Sequence, residues 1–122
     1  MDAVGKRGED AACNFLVSLG HAILERNWRG GRCEIDIISA DGEGLHFVEV
    51  KSRTAPTSAD PLVNVTAGKQ RHIIKAARKY LNTPQGRRFP DAEVLFDIIT
   101  VVFDGNTTYI KHYPQAFIPI YD

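Results

Sequence analysis

At 122 residues, with 43% apolar and 25% charged residues, the chain is long enough for one hydrophobic core and has an ordinary globular composition. Its formal net charge is zero, which excludes whole-molecule attraction to nucleic acid or an anionic membrane and leaves only local charge to be read. "MDAVGKRGED" has no apolar h-region, so no secretory leader is expected. The longest apolar run, "VLFDIITVVF", is about half a bilayer span and is interrupted by Asp97, which favours a buried strand over a membrane helix. Cys13 and Cys33 form no CxxC, and His21, His46, His72 and His112 show no zinc-ligand spacing. A reduced cytoplasmic protein without a structural metal is the expectation.

In chain order, Gly8 to Leu19 reads as a helix, with Ala12, Phe15, Leu16 and Leu19 at helical spacing and Gly20 at the C′ position. Ala22 to Trp28 reads as a first strand ended by "RGGR". Cys33 to Ala40 and Leu45 to Ser52 read as two more strands joined by "DGEG", a hairpin signal. "RTAPTSADP" reads as a loop. Thr66 offers an N-cap for a helix to about Leu81, with Ile73, Ile74, Ala77 and Leu81 as its inner stripe. "NTPQGRRFPD" breaks that helix. A long strand from Glu93 to Phe103 and a short one from Thr107 to Tyr113 follow. The helix between the third and fourth strands is long enough for a right-handed crossover, which would make those strands parallel neighbours. The whole chain, 1–122, reads as a single α/β domain, a mixed sheet with flanking helices.

Charge is unevenly spread. From Leu62 to Arg88 there are seven cations, Lys69, Arg71, Lys75, Arg78, Lys79, Arg87 and Arg88, and no acid. From Glu34 to Asp60 the acids Glu34, Asp36, Asp41, Glu43, Glu49 and Asp60 outnumber Lys51 and Arg53. Arg71, Lys75, Arg78 and Lys79 follow helical spacing and form one outer stripe, either a solvated face or a phosphate-binding surface.

The acids inside the hairpin need a reason. With the turn centred between Gly42 and Glu43, Asp36 lies opposite Glu49 and Glu34 opposite Lys51, all on one face. Directly opposed Cβ atoms lie about 4.5–5.5 Å apart, so the carboxylates of Asp36 and Glu49 could share one cation. Hard oxygen ligands suit Mg²⁺ or Mn²⁺, and Lys51 would lie where it could orient an attacking water or offset charge on a phosphate oxygen. The competing reading is a cross-strand ladder, with Glu34 salt-bridged to Lys51 and the other two acids on a solvated face. On spacing alone the two are even.

"GEDAA", "GRCEIDII", "FVEVKSR", the basic helix "GKQRHIIKAARKYL" and "FDIITV" together resemble the YraN-like family of predicted endonucleases. These are distant relatives of archaeal Holliday junction resolvases in the PD-(D/E)xK nuclease superfamily. The likeness runs from about Gly8 to Phe103 and implies an αβββαβ restriction-endonuclease-like core. It places the superfamily's metal-binding Asp on Asp36, its Glu-x-Lys on Glu49 and Lys51, and the first-helix Glu of resolvase-like members on Glu9. The superfamily's Pro is replaced by Ile35, which leaves the ligands untouched. The resemblance implies a Mg²⁺- or Mn²⁺-dependent endonuclease acting on DNA, and two-fold resolvases suggest a homodimer by analogy.

Other positions carry alternatives. Glu9 is either a first-turn acid favoured by the helix dipole or, as the resemblance implies, a third carboxylate near the metal. Gln70 precedes Ile73 and Ile74 on the buried side of the basic helix, where it could reach into the site or bond to backbone, and Lys69 borders it. Asp97 reads as a structural polar residue satisfied by hydrogen bonds. Trp28 reads as a core residue beside a Gly-rich turn. The four His show no usable pattern. Beside the nuclease stand two other readings: a nucleic-acid-binding domain that keeps the nuclease fold without turnover, and an interaction module whose basic helix docks on an acidic protein.

Overall fold

The computed structural model describes residues 3–57 and 65–117. Seven main elements follow in the expected order: α1 (Ala3–Ser18), β1 (Ala22–Gly30), β2 (Cys33–Ala40), β3 (Leu45–Thr54), α2 (Ala67–Leu81), β4 (Val94–Asp104) and β5 (Thr107–Tyr113). A short 3₁₀ turn, Gly86–Arg88, lies between α2 and β4. The five strands form one sheet in the order β1-β2-β3-β4-β5, antiparallel throughout except for the parallel β3–β4 pair. α2 is the crossover between those two parallel strands. The result is a mixed α/β sheet whose αβββαβ core is restriction-endonuclease-like. The part of the "RTAPTSADP" loop from residue 58 onward, Asp60 included, lies outside the described residues.

Local chemistry explains the boundaries. α1 ends where Gly20 turns left-handed (φ 96°), with Gly20 N–H bonding Val17 O and His21 N–H bonding Leu16 O. These are the paired bonds of a Schellman stop. The helix begins at Ala3 rather than Gly8: Ala3–Arg7 holds no proline, and no cap marks Gly8 as a start. The Oγ1 of Thr66 accepts from Lys69 N–H at 3.1 Å and caps α2. In the hairpin, Asp41 Oδ1 accepts the N–H groups of Glu43 (2.9 Å) and Gly44 (3.3 Å), an Asx turn.

One helix covers each face of the sheet. Ala12, Cys13 and Leu16 of α1 pack with Ile37, Val48, Ile99, Val101 and Phe103. Ile73, Ala76, Ala77 and Tyr80 of α2 pack on the other face with Ile35, Ile38, Leu45, Phe47 and Phe96. Burying side chains such as Phe47 or Leu16, both fully covered, stabilises the fold by about 1.5–3 kcal/mol each. The inner face of α2 is rotated from the expected stripe: Ala76 and Tyr80 are buried, whereas Ile74 and Leu81 are only partly covered. Trp28 packs edge-on against Tyr80, ring centroids 5.3 Å apart, as a core residue should. Among the described residues no helix is long and apolar enough to cross a membrane.

Candidate functional site

The hairpin register is the expected one. Ile37 pairs with Val48, Ile38 with Phe47, Ser39 with His46 and Ala40 with Leu45. The ladder stops at Ile37–Val48, one step before Asp36 and Glu49. There Asp36 Oδ2 accepts the main-chain N–H of Val50 at 2.8 Å, so a side chain takes the place of a ladder partner. The in-out alternation of β2 is interrupted at the same residue. Ile35 packs in the α2 cluster and Ile37 in the α1 cluster, although two residues apart should share a face. Strand pairing therefore gives way at Asp36, and the gap becomes a cleft.

That cleft, about 290 Å³, is lined by Val4, Gly5 and Glu9 of α1, by Asp36, and by Glu49 to Arg53 of β3. Glu9, Asp36, Glu49 and Lys51 thus come together from three elements. Gly8 allows the approach of α1: a Cβ there would overlap the Ser52 hydroxyl. Glu9 is 6% exposed, and its Oε1 has no hydrogen-bond partner among the described residues. Burial pushes its carboxyl above the ordinary value, against a hydrogen bond from Asn27. Asp36 is pushed up to about 7, first by desolvation and then by the negative Glu49. Its bond to Val50 N–H opposes this incompletely. Two lysines close on Glu49 Oε1, Lys69 Nζ at 3.3 Å and Lys51 Nζ at 3.6 Å. An acid whose proton is retained near neutrality beside a doubly paired acid is a site short of positive charge.

Other candidates fall elsewhere. Glu34 does not form the expected ladder pair with Lys51. The β2–β3 ladder has ended by that point, and Glu34 meets Arg29 of β1 at 3.7 Å on the exposed side. Gln70 does not line the cleft. Its Nε2 donates to Val65 O at 3.3 Å, and it borders a second cavity with Ile98, His112 and Tyr113. Lys69, which borders Gln70 at the start of α2, does reach the site, where it pairs with Glu49. Arg71, Lys75, Arg78 and Lys79 are all exposed, and Lys79 Nζ also donates to Gly30 O at 3.3 Å.

Sequence reading missed a polar cluster on the α1 side of the sheet. Asp97, fully buried, accepts from His46 Nδ1 (2.7 Å), His112 Nε2 (3.0 Å) and Gln115 N–H (3.0 Å). Burial alone would raise its carboxyl, but these donors together hold it well below the usual carboxylate range. His46 also meets Asp41, and His21, His46 and Asp41 form a group that could hold a metal ion. Asp97 is thus hydrogen-bonded as expected. The absence of any usable histidine pattern, by contrast, is corrected: three of the four converge. The one legible signal was Asp97, which interrupts the apolar run of β4.

A mixed five-stranded sheet with an αβββαβ order, and an acid-lined cleft where β2 and β3 part, define an α/β protein of restriction-endonuclease-like architecture. The chain belongs to the Uncharacterised protein family UPF0102, whose profile matches residues 8–101. It is 42% identical over 115 residues to a UPF0102 protein of Geobacter metallireducens, covering 94% of this chain and 92% of the relative. A UPF0102 protein of Chlorobium limicola is 40% identical over 121 residues, with the same shares covered. One from Bacteroides thetaiotaomicron is 39% identical over 116 residues, covering 95% of this chain and 93% of the relative.

Proposed function

We propose that the protein is a metal-dependent endonuclease that hydrolyses DNA phosphodiester bonds, with branched or junction DNA among the candidate substrates. The observation that supports this most is the convergence of Glu9, Asp36, Glu49 and Lys51 on one cleft at a break in strand pairing. The YraN-like resemblance supports the same residues independently. The donor set fits a hard divalent ion: it is all carboxylate, and Glu9 Oε1 is buried without a partner. Asp36 and Glu49 would hold Mg²⁺ or Mn²⁺, with Glu9 as the neighbouring third acid. When bound, the ion supplies Lewis acidity and makes water a nucleophile at neutral pH.

The chain's own groups do the rest. Asp36 is fixed by Val50 N–H, so its free oxygen points from a rigid strand. Lys51, whose ammonium lies 3.6 Å from Glu49, can release that carboxylate and turn to a phosphate oxygen or orient the attacking water. Lys69 neutralises Glu49 from α2 and can likewise hand it over. The exposed stripe of Arg71, Lys75, Arg78 and Lys79 supplies phosphate contacts along the DNA backbone. Cys13 and Cys33, both buried and unpaired, fit the reducing cytoplasm in which we place the protein. The second reading, a DNA-binding domain without turnover, is favoured by the cationic stripe alone.

Incubating the protein with linear, flap and four-way-junction DNA in Mg²⁺ or Mn²⁺ tests this. Cleavage that is lost in Asp36→Asn and in chelator is expected. Salt-sensitive binding without any cleavage would replace the nuclease by the binding domain, and neither outcome would leave an acidic protein as the partner of the basic helix.

A further inference from the structure

The histidine cluster lies away from the acidic cleft, and its geometry is that of a ligand set. His21 stands between α1 and β1, Asp41 opens the turn after β2, and His46 lies on β3. One ligand atom from each lies within 4.8 Å of the other two. Asp41 Oδ1 is 2.8 Å from His46 Nε2, and Asp41 Oδ2 is 3.3 Å from His21 Nε2. We propose that His21 Nε2, His46 Nε2 and the Asp41 carboxylate bind Zn²⁺, which staples the α1–β1 junction to the β2–β3 hairpin. No residue is shared with the proposed nuclease site.

The outer contacts are what separate this group from an ordinary polar patch. His46 turns its Nδ1 to Asp97 Oδ2 at 2.7 Å, which aims Nε2 at Asp41. His21 turns its Nδ1 to Ser39 Oγ at 2.9 Å, which aims its Nε2 at the same carboxylate. Ligating imidazoles are held in this way, by a carboxylate or another acceptor on the second nitrogen. Asp97 is anchored in turn by His112 and Gln115. Ser39 and Asp97 are both fully buried, so neither ring is free to swing.

Donor chemistry selects the ion. Two imidazoles and a carboxylate suit Zn²⁺, whereas Mg²⁺ asks for oxygen alone. Zinc bonds of about 2.0–2.2 Å in a tetrahedron place neighbouring donors roughly 3.3 Å apart. The observed 2.8 and 3.3 Å, to the two oxygens of Asp41, and the 4.8 Å limit on the whole set lie on either side of that spacing. The Asp41 side chain is 21% exposed, which opens a path for the ion and a fourth position for water. The three ligands come from three separate segments, which gives the ion its stapling role.

The test uses the full chain carrying Asp36→Asn and Glu49→Gln, so that the acidic cleft takes no ion. After chelation and buffer exchange, Zn²⁺ is titrated by calorimetry and Co²⁺ by its visible absorption. One equivalent of each should bind, with the ligand-field bands of a tetrahedral nitrogen and oxygen site. Zn²⁺ should raise the melting temperature, and Mg²⁺ should not. His21→Gln and His46→Gln should each abolish the Co²⁺ bands while circular dichroism stays native. Ser39→Ala, which removes only an outer partner, should weaken Zn²⁺ by about 10- to 100-fold. If His46→Gln does not fold, His21→Gln, at the margin of the sheet, still decides. Absence of Zn²⁺ and Co²⁺ binding, or bands that survive both histidine substitutions, overturns the proposal. Either result leaves DNA cleavage by the unsubstituted protein as a separate measurement.

Discussion

Val50 donates its main-chain N–H to the Asp36 carboxylate at 2.8 Å, one step past the last backbone pair of the β2–β3 ladder. A side chain that closes a strand pair is fixed as firmly as the strand itself. The same placement holds Asp36 beside Glu49 in a partly dry cleft, and that is unfavourable for two negative charges.

The pH dependence of stability follows. The Asp36 carboxyl is raised to about 7 in the folded protein, against about 3.9 in an unfolded chain. Between those values the folded state keeps a proton that the unfolded state has released. Stability of the metal-free protein should therefore fall as pH rises through this window. Asp36→Asn removes the ionisation and should flatten that decline, leaving the variant the more stable of the two above about pH 7. Urea melts in chelator across this range measure it. A wild-type profile no steeper than the variant's would show that Asp36 ionises freely.

Lys51→Met separates chemistry from folding. Lys69 still pairs with Glu49 at 3.3 Å, so losing Lys51 should cost little stability. Turnover should fall by about 10²–10³-fold, the usual effect of removing one group that stabilises transition-state charge. Lys51→Met with Lys69→Met should instead destabilise the apo protein, because Glu49, 7% exposed, then loses both cations. If the single substitution is as destabilising as the double, Lys51 is a structural counter-ion.

The outer stripe of α2 should govern salt dependence. Each phosphate contact contributes a log–log slope of about −0.9, so Arg71, Lys75, Arg78 and Lys79 together imply roughly −3 to −4. Arg71→Gln with Lys75→Gln should flatten the slope by about two units. Both side chains are exposed, so the fold should be unaffected. A slope that does not move means that DNA lies elsewhere.

What could be read in the sequence was what local rules determine. β2 and β5 begin and end where alternation and turn residues place them, and Thr66 caps α2 because its side chain needs only Lys69 N–H. Asp36, Glu49 and Lys51 could be brought together from the register that "DGEG" imposes. The partner of Glu34 could not, because nothing in the pattern says where a ladder stops. Lys69 could be read as a neighbour of Gln70 at the edge of the site, but only the packing of α2 on the sheet shows that its partner is Glu49. His21, His46 and His112 meet from segments far apart in sequence, where no spacing rule reaches.

α1 delivers Glu9 to the cleft through a close contact with β3. Gly8 faces Ser52 of β3 so closely that an added Cβ would overlap the Ser52 hydroxyl and come within 2.7 Å of its Cβ. The next residue, Glu9, enters the cleft from that contact. Gly8→Ala has two opposed effects. Alanine favours the helix by about 1 kcal/mol, but overpacking at a close helix–sheet contact typically costs about 1–3 kcal/mol. The net should be a modest loss of stability, with α1 displaced from β3. The displacement should weaken Mn²⁺ binding in the cleft if Glu9 assists there. Gly8→Ala with Ser52→Gly removes both overlapping atoms and should restore the melting temperature and the Mn²⁺ affinity together. A Gly8→Ala protein with wild-type stability and affinity would mean that the approach is loose and that Glu9 needs no such placement. Recovery of stability without affinity would assign Ser52 itself to the site.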